Sequence, residues 1–206
     1  LAYKPTSDLE MAFTYRSQVN LTEEGSADLE HPGLTNGKYD TTVSVPLPAF
    51  ASLAVAYTLP SKTTVEFVYE RNMWSAYESI DFDYTDATAE AIFGTAKAKD
   101  WKDTNAFRLG ITQELDNMTL MAGMVYDETP APTKTVGFEL PDSNSFSVSL
   151  GGRYQINDKI DVGLAALYSM RESRDIKASD NNDNSIVGEF SNGNVLIVSA
   201  GVGYKF

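Results

Sequence analysis

Apolar and polar residues alternate with a period of two through most of this chain. Over residues 9–17, Leu9, Met11, Phe13 and Tyr15 share one face, with Glu10, Ala12, Thr14 and Arg16 opposite. Over 51–59, Leu53, Val55, Tyr57 and Leu59 oppose small or hydroxylated residues, and over 64–74 Val65, Phe67 and Tyr69 oppose Glu66, Val68 and Glu70. The same reading holds for 105–114, 118–127, 146–155, 160–171 and 195–206. These are eight strands, and residues 1–3 read as the end of a ninth. Each is about ten residues long, the length a tilted strand needs to cross a bilayer. Strands of soluble sandwiches are shorter, about five or six residues.

The connections alternate too. Pro5–Asp8, Pro60–Lys62, Asp116–Asn117 and Asn157–Lys159 are tight turns. Between them lie long polar connections near 20–48, 78–100, 128–144 and 175–193. Short turns at one end and long loops at the other mark an outer-membrane barrel, with periplasmic turns and extracellular loops. The expected fold is therefore all-β, an antiparallel transmembrane β-barrel. Arg108, Arg153, Arg171 and Glu66 share the parity of the small and polar residues. An Arg or Lys facing lipid near the midplane costs about 2–4 kcal/mol, so that parity faces the lumen.

Composition narrows the partners. The formal net charge of −13 argues against nucleic acid, whose phosphates require clustered Lys and Arg. Without cysteine there is no disulfide, thiol catalysis or cysteine metal site. No cofactor motif is present, neither a Gly-rich phosphate loop nor a His-rich cluster. His31 is the sole histidine, and no serine is positioned beside it for a hydrolase mechanism. The chain is not expected to be an enzyme. Its end, Val202-Gly203-Tyr204-Lys205-Phe206, carries the alternating aromatic pattern and terminal Phe that barrel-assembly machinery reads, although an ordinary last strand of a β protein ends similarly.

Four segments carry a family likeness: Trp101–Gly110, Tyr126–Pro132, Leu140–Ser143 and Thr64–Glu70. In wording and order they resemble the C-terminal half of FadL-type transporters, the long-chain fatty-acid and aromatic-hydrocarbon uptake proteins of the Gram-negative outer membrane. The resemblance runs from Tyr15 to Phe206. It implies a fourteen-strand barrel plugged by an N-terminal hatch. Residues 1–206 are then expected to be the C-terminal part of that barrel, about nine strands, without hatch or early strands. The implied function is passive, hatch-gated uptake of long-chain fatty acids or related hydrophobic compounds, with outer-membrane lipids around the wall. A small-solute porin and a structural or adhesion barrel are the alternatives.

The resemblance makes Lys102 the leading ligand contact, because a carboxylate entering an apolar pocket needs a cation to offset its desolvation. It is equally readable as an interfacial lysine paired with Asp100 or Asp103. Arg108 is a second candidate contact, although buried ions are usually paired, which favours a wall of charges with Glu66, Glu70, Glu114 and Arg153. Trp74, Phe82, Tyr84, Ile92 and Phe93 are candidates for an apolar capture groove, against a membrane girdle for Trp74 and loop packing for the others. Asp180–Asn184 lacks the ordered spacing of a calcium loop and reads as a flexible hydrophilic tip.

Overall fold

A computed structural model describes residues 1–206. Its main body is a nine-stranded sheet whose strands follow one another in chain order, each antiparallel to the next. They are Ala2–Tyr3, Leu9–Arg16, Phe50–Thr58, Thr63–Asn72, Thr104–Glu114, Met118–Asp127, Ser145–Gln155, Ile160–Arg171 and Val195–Tyr204. The first and last do not pair with each other, so the sheet is a barrel wall with two free edges. Free edges are costly in lipid, where no water satisfies the backbone.

The pairing registers keep each side-chain parity on one face throughout. Glu66 lies opposite Gly110, Gly110 opposite Gly123, Gly123 opposite Ser149, and Ser149 opposite Leu167. This is the inner face, and small residues keep it open. The outer face exposes large apolar side chains: Leu150 is 70%, Leu164 64% and Val202 77% exposed. Such a surface is stable against hydrocarbon and not against water. A hollow of about 650 Å³ lies mostly among outward-parity residues, where Ala122, Gly152 and Ala166 sit low between Leu120, Leu150, Leu164 and Val198.

Two of the long connections are more ordered than their composition predicts. Residues 20–48 form a hairpin, with Val19–Leu29 paired along its length to Gly37–Leu47. Val19, Leu21, Val43, Val45 and Leu47 share one side of it, and Thr22, Glu24, Ser26, Asp40 and Ser44 the other. Phe82–Tyr84 adds a third strand through Thr41–Val43. The second is the Asp180–Asn184 segment. It is no free tip, because Asn182 and Asn184 both donate side-chain hydrogen bonds to carbonyls of the 128–144 connection.

Candidate functional site

The candidate residues sit at the long-loop end, where three connections interlock. In the 73–103 connection, Asp100 adopts a left-handed conformation with φ 48°, a turn that Asp tolerates better than most residues. The turn brings the backbone N–H groups of both Lys99 and Asp100 onto the carbonyl of Glu78, at 2.7 and 2.9 Å. It also sets Trp101 between two rings. The centroids of Trp74 and Tyr77 each lie 4.9 Å from that of Trp101, edge to face. This geometry suits aromatic quadrupoles and is worth about 0.5–1.5 kcal/mol per pair.

Lys102 follows directly. Its backbone N–H donates to the Pro130 carbonyl at 2.9 Å, while its side chain is exposed and forms no ion pair. The alternative pairing with Asp100 or Asp103 is absent. Asp103 is taken by other partners: its carboxylate accepts from the Ser75 N–H at 3.0 Å and meets Arg71 at 3.4 Å. The Ser75 hydrogen bonds, with Arg71 adding attraction, hold the Asp103 carboxyl below its ordinary range.

Arg108 belongs to the wall below. It lies on the inner face and meets the Glu70 carboxylate at 3.4 Å. Of the other expected members of that wall, Arg153 pairs with Asp161, and neither Glu66 nor Glu114 forms an ion pair. The charges are thus paired locally between neighbouring strands and do not form one network.

The apolar candidates split into two groups that no ring contact joins. Trp74 stacks in the Trp101 cluster, beside Lys102 in sequence. Phe93 lies with the hairpin, 5.8 Å from His31 and 6.4 Å from Tyr84 by ring centroids. It ends a short helix, Ala87–Phe93, which Asp86 caps by accepting from the N–H groups of Thr88 and Ala89. Phe82 lies opposite Val43 on the apolar side of the hairpin and is 41% exposed. His31 is a packing residue: its Nδ1 accepts from the Gly33 N–H at 3.1 Å.

The alternation did not single out Lys99, which is the buried cation of this end, 9% exposed. Its ammonium meets Glu139 at 2.5 Å, and its carbonyl accepts from the Thr135 hydroxyl. Tyr77, Ile80, Trp101, Ala131, Val136 and Leu140 surround it, around a cavity of about 100 Å³. The Lys99 hydrogen bond holds the Glu139 carboxyl below its ordinary range, and burial pushes the Tyr77 phenol up. The connections at 128–144 and 172–194 close over this region. Arg174 donates to the carbonyls of Asp142 and Ala131, and Val136, Ile176 and Ile186 form a small apolar core with Phe190 against it.

Comparison with known proteins agrees with this architecture. Residues 1–206 match the family described as outer membrane protein transport protein (OMPP1/FadL/TodX). The chain is 24% identical over 183 residues to the long-chain fatty acid transport protein of Escherichia coli K12, an overlap of 82% of this chain and 40% of that protein. It is 24% identical over 160 residues to outer membrane protein P1 of Haemophilus influenzae, covering 77% of this chain and 33% of that one. The chain therefore spans less than half the length of these relatives. Among solved structures, a Pseudomonas aeruginosa FadL homologue superposes with a TM-score of 0.80 at 17% identity, over 98% of this chain and 50% of that one. The Ralstonia pickettii toluene transporter TbuX gives 0.64 at 17% identity, over 98% and 46%.

Proposed function

Because the chain belongs to the OMPP1/FadL/TodX family of outer membrane transport proteins, we propose that it forms part of an outer-membrane route for long-chain fatty acids, passive and gated by a hatch. The carrying observation is Lys102, an exposed cation with no counter-ion, adjacent to the Trp74–Trp101–Tyr77 cluster. An amphipathic acid needs two things at such a rim. Its tail needs apolar surface, which favours transfer by about 25 cal/mol per Å². Its carboxylate needs a cation that is not already neutralised. The aromatic cluster supplies the first and Lys102 the second.

Arg108 plays a lesser part in this reading, since Glu70 already neutralises it. Phe82, Phe93 and the apolar side of the hairpin offer capture surface nearer the medium. Phe206, fully exposed and in edge contact with Tyr204, is the proposed handle for barrel assembly.

Binding of palmitate to the detergent-solubilised full-length protein tests the proposal, before and after Lys102→Ala. Saturable binding that weakens about tenfold, the worth of one charge-assisted contact near 1.4 kcal/mol, supports it. Toluene has no charge, so its passage must be indifferent to Lys102. Binding of toluene but not palmitate would replace the substrate. The open rows of Gly110, Gly123, Gly151 and Gly163 on the inner face favour a second reading, a small-solute pore. Steady conductance in planar bilayers would support that reading and remove the plugged barrel.

A further inference from the structure

The hollow of about 650 Å³ in the outer wall has both a course and a polar end. It follows two neighbouring rows of the sheet. Ile111, Ala122, Leu150, Ala166 and Val198 are paired one to the next along the first row, and Gln113, Leu120, Gly152 and Leu164 along the second. The first row crosses five strands, so at a spacing of about 4.8 Å the hollow is roughly 19 Å long. It also climbs. Counted from the short-turn end of each strand, Gln113 is the second residue, Leu120 the third, Gly152 the fourth and Leu164 the fifth. It ends beside Val198, near the middle of the last strand. The course begins at the short-turn rim and stays within one leaflet, about 15 Å of a hydrocarbon core about 30 Å thick.

The low end meets a turn. The Gln113 amide donates to the Ser61 carbonyl at 3.0 Å and accepts from the Thr63 hydroxyl, and the Glu114 N–H donates to the Lys62 carbonyl at 3.1 Å. These bonds fasten the turn to the end of strand Thr104–Glu114 and set Lys62 at the mouth of the hollow. Lys62 holds a left-handed φ of 61°, is exposed, and forms no ion pair. The adjacent acid, Glu114, has the inward parity of Arg108 and Gly110.

We propose that this hollow seats one acyl chain of an anionic glycerophospholipid from the periplasmic leaflet, with the phosphate at Lys62. The short turns of an outer-membrane barrel face the periplasm, which fixes the leaflet. Lipid tails are as apolar as leucine, so exclusion from water gives no preference for one part of the wall over another; close packing does. A chain lying on a flat wall touches protein on one side. In the hollow it meets the floor of Ala122, Gly152 and Ala166 and the flanks of Leu120, Leu150 and Leu164 together. A second copy of the wall fits worse, because its sheet would have to descend past Leu150 and Leu164, 70% and 64% exposed, to reach that floor. A single hydrocarbon chain passes between them. The site lies at the opposite end of the wall from Lys102 and is independent of the solute that the barrel passes.

The test uses the full-length protein in vesicles containing phosphatidylglycerol or phosphatidylethanolamine with a diazirine on the acyl chain, and maps the photolabel by peptide. Label from phosphatidylglycerol is expected to concentrate on residues 120–122, 150–152 and 164–166. Ala122→Phe/Ala166→Phe fills the floor with apolar side chains that lipid tolerates, and should lower that label to the level of the surrounding wall. Val55→Phe, on the same face two strands away, should leave it unchanged. Lys62→Gln should lower labelling by phosphatidylglycerol about fivefold, the worth of one cation at an anionic lipid surface, and leave phosphatidylethanolamine unaffected. Heat-modifiable migration confirms that each variant is folded. Label spread evenly over the outer face, or unmoved by filling the floor, overturns the site. Equal labelling by the two lipids overturns the headgroup contact and with it the proposal. Cross-linking of two copies through the hollow in place of lipid label would assign the surface to a second copy.

Discussion

The side-chain amide of Asn182 donates to the main-chain carbonyl of Val136 at 3.0 Å, across 46 residues of sequence. The same amide reaches the Thr133 carbonyl at 2.7 Å, and Asn184 adds a second donor to Val136 at 3.1 Å. Two connections with little apolar content are clamped into one unit by side-chain amides acting on backbone. The small core of Val136, Ile176 and Ile186 lies within it.

Asn182→Ala takes the amide donor from the Thr133 carbonyl and leaves Val136 with Asn184 alone, and is expected to destabilise the clamped loops by about 1–3 kcal/mol. Hydrogen exchange should quicken for amides of residues 132–140 and 174–190 and stay unchanged in the barrel strands. Uniform protection in the variant would mean that the apolar core alone holds the loops.

The assignment of faces predicts opposite outcomes for adjacent residues. Leu150→Arg puts a cation on the outer face and should cost about 2–4 kcal/mol if near the midplane. Ser149→Arg, on the inner face, should be tolerated. Heat-modifiable migration of the folded barrel after refolding into vesicles measures both. Equal yields would show both faces to be wetted, and a loss confined to Ser149→Arg would show the faces to be reversed.

The Lys99–Glu139 pair makes the loops sensitive to acid. Its hydrogen bond to Lys99 lowers the folded-state pKa of Glu139, so the contribution is fully present above the unfolded value, about 4.3, and is lost as pH falls through the folded one. Amide exchange of residues 137–140, corrected for intrinsic rates, should therefore be flat from neutrality to about pH 5 and accelerate below about pH 4. Glu139→Gln should abolish that acceleration.

On the inner wall, Glu70 and Arg108 should couple weakly. The arginine side chain is 38% exposed and the contact is 3.4 Å long, so solvent screening limits the pair to under about 1 kcal/mol. A double-mutant cycle with Glu70→Gln and Arg108→Gln, read by denaturant unfolding in detergent, checks this. A coupling above about 2 kcal/mol would place the pair in a dry site.

The barrel strands were legible in sequence because lipid on one side and small residues on the other impose strict alternation. Every one of them lies within two residues of its expected bounds. The Val19–Leu29 hairpin escaped because Glu23 and Gly25 interrupt its apolar side and Thr, Ser and Asp fill the other. The helix Ala87–Phe93 carried a usable signal, Asp86 before it and Gly94 after it, but it is only seven residues long. Lys99 left no local trace. Its burial comes from Tyr77, Val136 and Glu139, brought together by connections far apart in the chain. Lys102, marked by its Trp-Lys-Asp setting, was visible where Lys99 was not.

The unbroken parity of the nine-stranded wall constrains how its sequence can drift in length. Removing one residue from the middle of Ser145–Gln155 would turn the rest of that strand inside out, setting Arg153 toward lipid and Leu150 or Tyr154 toward the lumen. Removing two restores the faces and shifts the register along the neighbours. Single-residue insertions and deletions within these strands should therefore be selected against, while changes in steps of two can survive, and the interlocked loops, held by amide clamps rather than by parity, follow no such rule.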